Sequence, residues 1–254
     1  EIDPHLCRVL NRAIDISKLT NGAFDFSILP LVNAYGFGVE ERKDHSISEL
    51  VKRHKNVDYS NVGLSCFENS CYLLKSKKSI QLDLSAIAKG YGVDVLSSFL
   101  DDKGVSDYLV EIGGELNSKG SNEIGQHWRI GITKPDTNAG LKEYVMVLSD
   151  DSLSLATSGN YRNYYWKGDE LYVHTINPKT GKPVSSDVLS ITIQASDCMT
   201  ADAIATACMV MGKDSSINFL NEQGDVSGIL FYKENDSLKH INVGLEGRLI
   251  PKGS

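Results

Sequence analysis

The chain has 254 residues, of which 41% are hydrophobic, so it is long and apolar enough to bury a core and is not expected to be disordered. It carries 33 acidic and 26 basic residues, and no basic run is interleaved with aromatic residues, which disfavours nucleic-acid binding. Its apolar stretches are far shorter than the about 20 residues that a bilayer span requires.

The first third of the chain predicts helices followed by a meander of strands. Apolar residues at helical spacing predict a helix over residues 3–19. The apolar segment 23–38 contains Pro30 and several glycine or asparagine residues, so we expect irregular structure there. A short polar helix is predicted over 48–55. Alternating residues then predict strands over 57–64, 71–75 and 80–84.

The rest of the chain predicts mixed helices and strands without regular alternation. Helices are predicted over 85–103, 198–211 and 214–223. Strands are predicted over 107–112, 128–132, 143–148, 152–157, 171–176, 189–194, 228–232 and near His240. This pattern favours an α+β fold in one compact unit over a doubly wound sheet.

The segment 81–92, QLDLSAIAKGYG, has the features of a phosphate site. An apolar run ends near Asp83, Ser85 is predicted as a helix N-cap, and Lys89 follows one turn inside the helix. A helix N-terminus presents unpaired N–H groups and partial positive charge, and a lysine adds a full charge. An aspartate that only caps the helix is the alternative interpretation of Asp83.

The segment 200–207, TADAIATA, predicts a magnesium-binding face. Asp202 and Thr206 are four residues apart, so they share one face of a helix and offer two hard oxygen ligands. The alternative is structural, with Asp202 stabilising the helix N-terminus and Thr206 bonding to its own turn. Taken with the phosphate site, the segment predicts a metal-dependent nucleotide enzyme.

His174 is the best general-base candidate, because it titrates near neutrality and lies in a segment framed by proline and glycine. A structural histidine at a strand end remains the alternative.

The segments 113–115 and 156–159 predict turns where the backbone can approach a ligand. The Rossmann, P-loop and α/β-hydrolase motifs are all absent.

The five cysteines are Cys7, Cys66, Cys71, Cys198 and Cys208. Without CxxC or zinc-ligand spacing they predict free thiols, and a Cys66–Cys71 disulfide across a hairpin is left open.

Seven segments in order resemble the ApbE family, the FAD:protein FMN transferases once described as thiamine-biosynthesis lipoproteins. They are GAFD (22–25), PLVNAYGFG (30–38), LDLSAIAKGYGVD (82–94), YLVEIGGE (108–115), ATSGNYRNYY (156–165), HTINPKTGKP (174–183) and CMTADAIATACMVMG (198–212). The resemblance implies a single ApbE-like (T-fold-like) α+β domain over 1–254, with mostly antiparallel sheets and packed helices. It further implies magnesium-dependent transfer of FMN from FAD to a threonine or serine hydroxyl of a target flavoprotein, with release of AMP.

The resemblance also implies the residues of the site. Residues that would contact FAD are Ala23, Phe24, Asp25, Asp83, Lys89 and Ile176. Residues that would hold the metal are Asp202, Thr206 and, through its backbone carbonyl, Ala86. His174 would take the proton of the acceptor hydroxyl.

Two differences from the family bear on these expectations. Met199 stands where some members carry an additional acidic metal ligand, so a second metal is less well supported. Family chains also begin well before the equivalent of Glu1, so the N-terminal part of the family is expected to be missing here.

The resemblance implies acceptor subunits of membrane redox complexes, a location on the periplasmic side of the bacterial inner membrane, and membrane contact only through a lipid anchor absent from this chain. Two other functions stay open. A magnesium-dependent FAD pyrophosphatase would use the same pocket with water as nucleophile. A non-catalytic FAD-binding protein would hold FAD without releasing AMP.

Overall fold

The computed structural model describes residues 1–40, 44–68, 70–133, 135, 143–147, 152–160, 164–235, 237–245 and 248–251. The helices are α1 (Pro4–Leu19), α2 (Leu29–Ala34), α3 (Ile47–His54), α4 (Ser85–Asp102), α5 (Cys198–Met211) and α6 (Lys213–Glu222). The strands are β1 (Val62–Phe67), β2 (Ser70–Lys75), β3 (Tyr108–Ile112), β4 (Glu115–Lys119), β5 (Arg129–Thr133), β6 (Glu143–Val147), β7 (Ser152–Gly159), β8 (Tyr164–Lys167), β9 (Glu170–Val173), β10 (Ile176–Asn177), β11 (Lys182–Pro183), β12 (Val188–Ala195), β13 (Ser227–Glu234), β14 (Ser237–Val243) and β15 (Arg248–Pro251).

Helix α1 begins where its sequence predicts. The side chain of Asp3 accepts the backbone N–H groups of His5 and Leu6, and a proline occupies the first turn, where its missing N–H costs nothing. Val9 and Leu10 belong to the buried face that the apolar periodicity predicts. Strong caps and a regular apolar face explain why this prediction is confirmed.

Two predicted segments are wrong in part, and a third is wrong. Segment 23–38 contains helix α2, because Pro30 lies in its first turn, where proline is tolerated. The strand predicted over 57–64 begins only at Val62, because a 3-10 turn over Tyr59–Asn61 precedes it. The side chain of Asp58 accepts the Ser60 N–H in this turn. Segment 80–84 forms no strand, although the Asp83 N–H donates to the Phe26 carbonyl at 2.7 Å.

The chain divides into two units by its internal contacts, Glu1–Ala88 with Arg162–Ser185, and Lys89–Tyr161 with Ser186–Ser254. In the first unit, α1 packs against the antiparallel hairpin β1–β2. An apolar cluster of this unit is built around Leu31, Tyr35 and Ile176. The hairpins β8–β9 and β10–β11 also belong to it, and only part of them was predicted.

The second unit is built on an antiparallel sheet with the strand order β14-β13-β12-β7-β4-β3. Helix α5 packs on β12 and β7 of this sheet, and most of its residues are buried. The sheet also contributes Leu155, Ile229 and Phe231 to an apolar core. A three-stranded sheet has the order β15-β6-β5. Its middle strand β6 corresponds to the strand predicted over 143–148, of which Leu148 lies outside the described residues. The mixture of helices and antiparallel sheets confirms the α+β prediction.

The cysteines differ from the sequence prediction. Cys7 on α1 forms a disulfide with Cys71 on β2, so these two are not free thiols and Cys71 is not bonded to Cys66. Cys66, Cys198 and Cys208 are free. Because Cys7 and Cys71 are separated by 64 positions in the sequence, only the packing of α1 on the hairpin brings them together. Among the described residues, no helix combines the length and apolar character that a membrane span requires.

Candidate functional site

Lys89 lies between two buried carboxylates of the second unit. Its Nζ is 2.5 Å from Oε1 of Glu115 and 3.7 Å from Oδ1 of Asp202. The side chains of Glu115 and Asp202 are each only 3% exposed, whereas that of Lys89 is 45% exposed. The lysine therefore connects the buried acidic pair to solvent, where a charged ligand can reach its ammonium group.

The two carboxylates are not fully neutralised by Lys89. Oε2 of Glu115 is buried and has no hydrogen-bond partner in the described structure. Burial raises the pKa of Asp202 to about 6, an effect that Lys89 opposes and that Glu115 reinforces. A buried carboxylate oxygen without a partner is costly, so this pair has capacity for a further cation or hydrogen-bond donor.

Backbone contacts hold helix α4 against the first turn of α5. The Gly90 N–H donates to Oδ2 of Asp202 at 3.1 Å, and Asp94 accepts the N–H groups of Cys198 and Met199 at 2.8 and 2.9 Å. These N–H groups of α5 have no partner within their own helix. The contacts fix the position of Lys89, one residue before Gly90, relative to Asp202.

Thr206 lies one turn after Asp202 on α5, as the sequence spacing predicts. Its hydroxyl is 3.3 Å from the hydroxyl of Ser158 on β7. The Asp202 carboxylate and the Thr206 hydroxyl are hard oxygen donors, the kind that magnesium prefers. This donor pair, one turn apart on one helix, fits a magnesium ion.

Asp83 and Ala86 lie at the start of α4, in the first unit. Oδ1 of Asp83 accepts the Ser85 N–H at 2.9 Å, so Asp83 caps the helix and Ser85 is its first residue, which corrects the predicted N-cap. The helix is kinked at Ala86, where φ is −90° and ψ is 17°. The kink takes the Ala86 carbonyl out of regular helical geometry.

Ala23, Phe24 and Asp25 follow the end of α1 and are all buried. Asp25 accepts the N–H and hydroxyl of Ser27 at 2.8 and 2.6 Å, and the Tyr59 N–H at 3.1 Å. Burial is the largest effect on Asp25 and raises its pKa, although these hydrogen bonds oppose the shift. This carboxylate organises the turn that follows α1.

His174 directly follows β9, and Ile176 is the first residue of β10. The imidazole of His174 meets the Phe37 ring edge-on, with 6.3 Å between the ring centroids. Ile176 is buried against Leu31 and Tyr35. Of the predicted site residues, the structure thus brings Lys89 together with Asp202. The roles predicted for the others stay predictions.

Glu115, Asp94 and Ser158 contact the predicted site residues or the helix that carries them, and the sequence does not single them out, although Ser158 lies in the predicted turn 156–159. Glu115 follows Gly113 and Gly114 and was included only as part of a turn, whereas it begins the buried strand β4. An acidic residue placed directly after a glycine pair, at the start of a strand, was the available signal. Asp94 lies on helix α4, five residues after Lys89. Nothing in the sequence around it indicates that its carboxylate contacts α5.

Comparisons with known proteins identify the family of this chain. The ApbE family profile matches residues 1–230. A Vibrio cholerae protein named FAD:protein FMN transferase is 37% identical over 231 residues, which cover 91% of this chain and 68% of the relative. A Haemophilus influenzae protein of the same name is 37% identical over 219 residues, covering 85% of this chain and 63% of the relative.

A solved structure, the flavin transferase ApbE from Vibrio cholerae, superposes with a TM-score of 0.84 at 34% identity. The match covers 96% of this chain and 76% of that one. This chain therefore spans about two thirds of the length of the named relatives and nearly all of it shares their fold.

Proposed function

Because this chain belongs to the ApbE family, we propose that it transfers FMN from FAD to a threonine or serine hydroxyl of a target flavoprotein and releases AMP. The observation that carries the proposal is the Lys89 ammonium, held at 2.5 Å from the buried Glu115 carboxylate by a side chain that is itself 45% exposed. FAD contains a diphosphate, and a fixed ammonium group beside a helix start is a natural partner for it.

In the proposed reaction, the acceptor hydroxyl oxygen bonds to the phosphorus of the FMN half. The bond from that phosphorus to the bridging oxygen breaks, and the electron pair leaves with AMP. Negative charge therefore builds up on the phosphoryl oxygens and on the leaving phosphate. Lys89 stabilises this charge, and its two carboxylate partners keep it in place so that little reorganisation is needed during the reaction.

Asp202 and Thr206 would hold magnesium in the proposed site. When bound, magnesium would neutralise charge on the diphosphate oxygens. The buried carboxylate pair described above, in which Oε2 of Glu115 has no hydrogen-bond partner, supports a cation here. Ala86 is assigned as a further ligand through its carbonyl only by resemblance to the family, and that assignment remains a proposal.

His174 is proposed to accept the proton of the incoming hydroxyl at an imidazole nitrogen. Its imidazole ring makes an edge-on contact with the Phe37 ring, which restrains the orientation of the imidazole. The acceptor is proposed to be a subunit of a membrane redox complex on the periplasmic side of the inner membrane. Labelling of a purified acceptor domain followed by peptide mapping would identify the modified hydroxyl.

The test combines the protein with FAD, magnesium and a domain that carries a flavinylation motif. We expect the acceptor to gain the mass of FMN, and chelation of magnesium to abolish the gain. Asp202→Asn should abolish labelling, whereas Asp214→Asn, an exposed aspartate on α6, should leave it unchanged. Equal labelling by Asp202→Asn and the wild type would refute the metal assignment.

The same mixture without acceptor separates the alternatives. Rapid AMP release would favour the pyrophosphatase, since water then replaces the hydroxyl as nucleophile. Stoichiometric bound FAD with no AMP under either condition would favour a storage protein. Slow release of AMP that the acceptor accelerates is the result expected of the transferase.

A further inference from the structure

Three cysteine sulfurs converge in the first unit, on elements that carry none of the residues assigned to flavin transfer. Cys7 lies on α1, Cys66 on β1 and Cys71 on β2, and their sulfur atoms all lie within 4.8 Å of one another. Sγ of Cys66 is 3.6 Å from that of Cys7 and 2.7 Å from that of Cys71. The third thiol therefore contacts both members of the disulfide.

The fold fixes this convergence through the backbone. Cys66 and Cys71 are direct partners in the register of the β1–β2 hairpin, which holds their side chains on one face. The Ile2 N–H donates to the Cys71 carbonyl at 2.8 Å, so the segment before α1 is bonded to the same strand. Cys7 follows in the second turn of α1. Three separate elements thus bring their sulfur atoms to one point.

The arrangement of the sulfurs resembles a ligand set more than an exchange pathway. In thiol–disulfide exchange, the attacking sulfur approaches along the line of the bond that breaks, beyond one of its ends. Cys66 instead lies beside the bond, in contact with both sulfurs. Three thiolates at about 2.3 Å from a common zinc ion would lie about 3.8 Å apart. The 3.6 Å between Cys7 and Cys66 is close to that spacing, whereas Cys71 lies nearer to both and would move away from them once its bond to Cys7 is opened.

We propose that the reduced protein binds one thiophilic d10 cation, Zn²⁺ or Cu⁺, through the thiolates of Cys7, Cys66 and Cys71. Soft thiolate ligands select these ions over magnesium. Among the described His, Cys, Asp and Glu residues, this is the group whose ligand atoms converge, so no side-chain carboxylate or imidazole completes the set there. A three-thiolate site suits Cu⁺ directly, and Zn²⁺ would take water on the exposed side of Cys66.

The site requires the disulfide to be opened first. A phosphine reductant supplies two electrons, two protons enter from solvent, and the Cys7–Cys71 bond becomes two thiols. Binding then releases the protons of the three thiols as the cation takes their place. The oxidised protein, which retains only the Cys66 thiol in this cluster, should bind the cation weakly.

The experiment uses the whole chain without FAD or magnesium, so its outcome is independent of the proposed transferase. The protein is reduced with a phosphine and desalted under anaerobic conditions, and its thiols are counted after denaturation. Zn²⁺ and Cu⁺ are then titrated separately against chromophoric chelators. We expect five thiols and one equivalent of bound cation, with binding at least tenfold weaker in Cys66→Ser and in the oxidised protein.

Cys208→Ala is the matched control, because Cys208 is a free cysteine outside the cluster. It should bind as the wild type does, and the exposed position of Cys66 should let Cys66→Ser fold, as circular dichroism can verify. Three results would overturn the proposal. The first is that the reduced chain has five free thiols and binds neither cation. The second is that Cys66→Ser and Cys208→Ala bind the cation equally well. The third is that the disulfide resists reduction in the folded chain.

Discussion

Nζ of Lys89 lies 2.5 Å from Oε1 of Glu115, a carboxylate whose other oxygen is buried without a partner. Such a contact aligns the long lysine side chain, which would otherwise lose much rotameric freedom on binding a ligand. Asp202 restrains it from a second side at 3.7 Å. We therefore assign Glu115 as a positioning residue that acts through Lys89.

Glu115→Gln keeps the size of the side chain and removes its charge. We expect kcat/KM for FAD to fall roughly tenfold to a hundredfold, the equivalent of about 1–3 kcal/mol for a lost charged hydrogen bond. The rate of AMP release in the presence of acceptor measures this. Glu111→Gln, at an exposed position on β3, is the control and should keep the wild-type value. A merely structural glutamate would lower the melting temperature while leaving kcat/KM of the folded fraction intact.

Thr206→Val removes one proposed metal ligand with little change in shape. The magnesium concentration for half-maximal labelling should rise at least roughly tenfold, because an oxygen donor is replaced by a methyl group. Thr206→Ser, which keeps the hydroxyl, should stay near the wild type.

The same change also breaks the 3.3 Å contact between the hydroxyls of Thr206 and Ser158. Ser158→Ala breaks this contact alone, so it separates the two effects. If Ser158→Ala and Thr206→Val shift the magnesium requirement equally, then Thr206 acts through the hydrogen bond and not as a ligand.

Regular periodicity and strong caps made some elements predictable. Helix α5 was predicted over its observed residues, because Asp197 caps it and small apolar residues continue to Gly212. Strand β4 was missed, because its sequence ELNSK lacks the apolar alternation of a strand. Its first four residues are buried despite their polar character, and the Asn117 amide donates to the Ser154 hydroxyl at 2.7 Å.

The candidate site was predictable one residue at a time, and its pairings were not. Lys89 and Asp202 were identified separately, from a helix start and from a spacing of four residues. Their contact and the participation of Glu115 arise from the packing of α4, α5 and β4, which brings together helices α4 and α5 although Gly90 and Asp202 are 112 positions apart. No local pattern encodes such a distance. The Cys7–Cys71 disulfide is a further example.

Asp94→Asn should destabilise the fold although it changes only one atom. The two carboxylate oxygens accept the N–H groups of Cys198 and Met199. An asparagine would turn one oxygen into an amide donor that faces an N–H donor. We expect the free energy of unfolding in urea to fall by about 1–3 kcal/mol. Asp102→Asn, exposed at the end of the same helix, should change it by less than about 0.5 kcal/mol. Equal effects would show that helix α5 does not depend on Asp94.

Two glycines of α4 should respond in opposite ways to alanine. A Cβ on Gly90 would lie 2.3 Å from the Cys198 carbonyl oxygen and 2.8 Å from the Met199 Cα, and these backbone atoms cannot move without displacing α5. A Cβ on Gly92 would meet only the Ile112 Cδ1, at 3.1 Å, which the flexible end of that side chain can accommodate.

Alanine is otherwise favoured over glycine inside a helix by about 1 kcal/mol. Gly92→Ala should therefore be neutral or slightly stabilising in urea unfolding. Gly90→Ala should cost about 1–3 kcal/mol through overpacking. It should also weaken FMN transfer, because the displaced helix carries Asp202 away from Lys89. A Gly90→Ala protein with the stability and activity of Gly92→Ala would mean that the close approach of α4 to α5 is not needed to form the site.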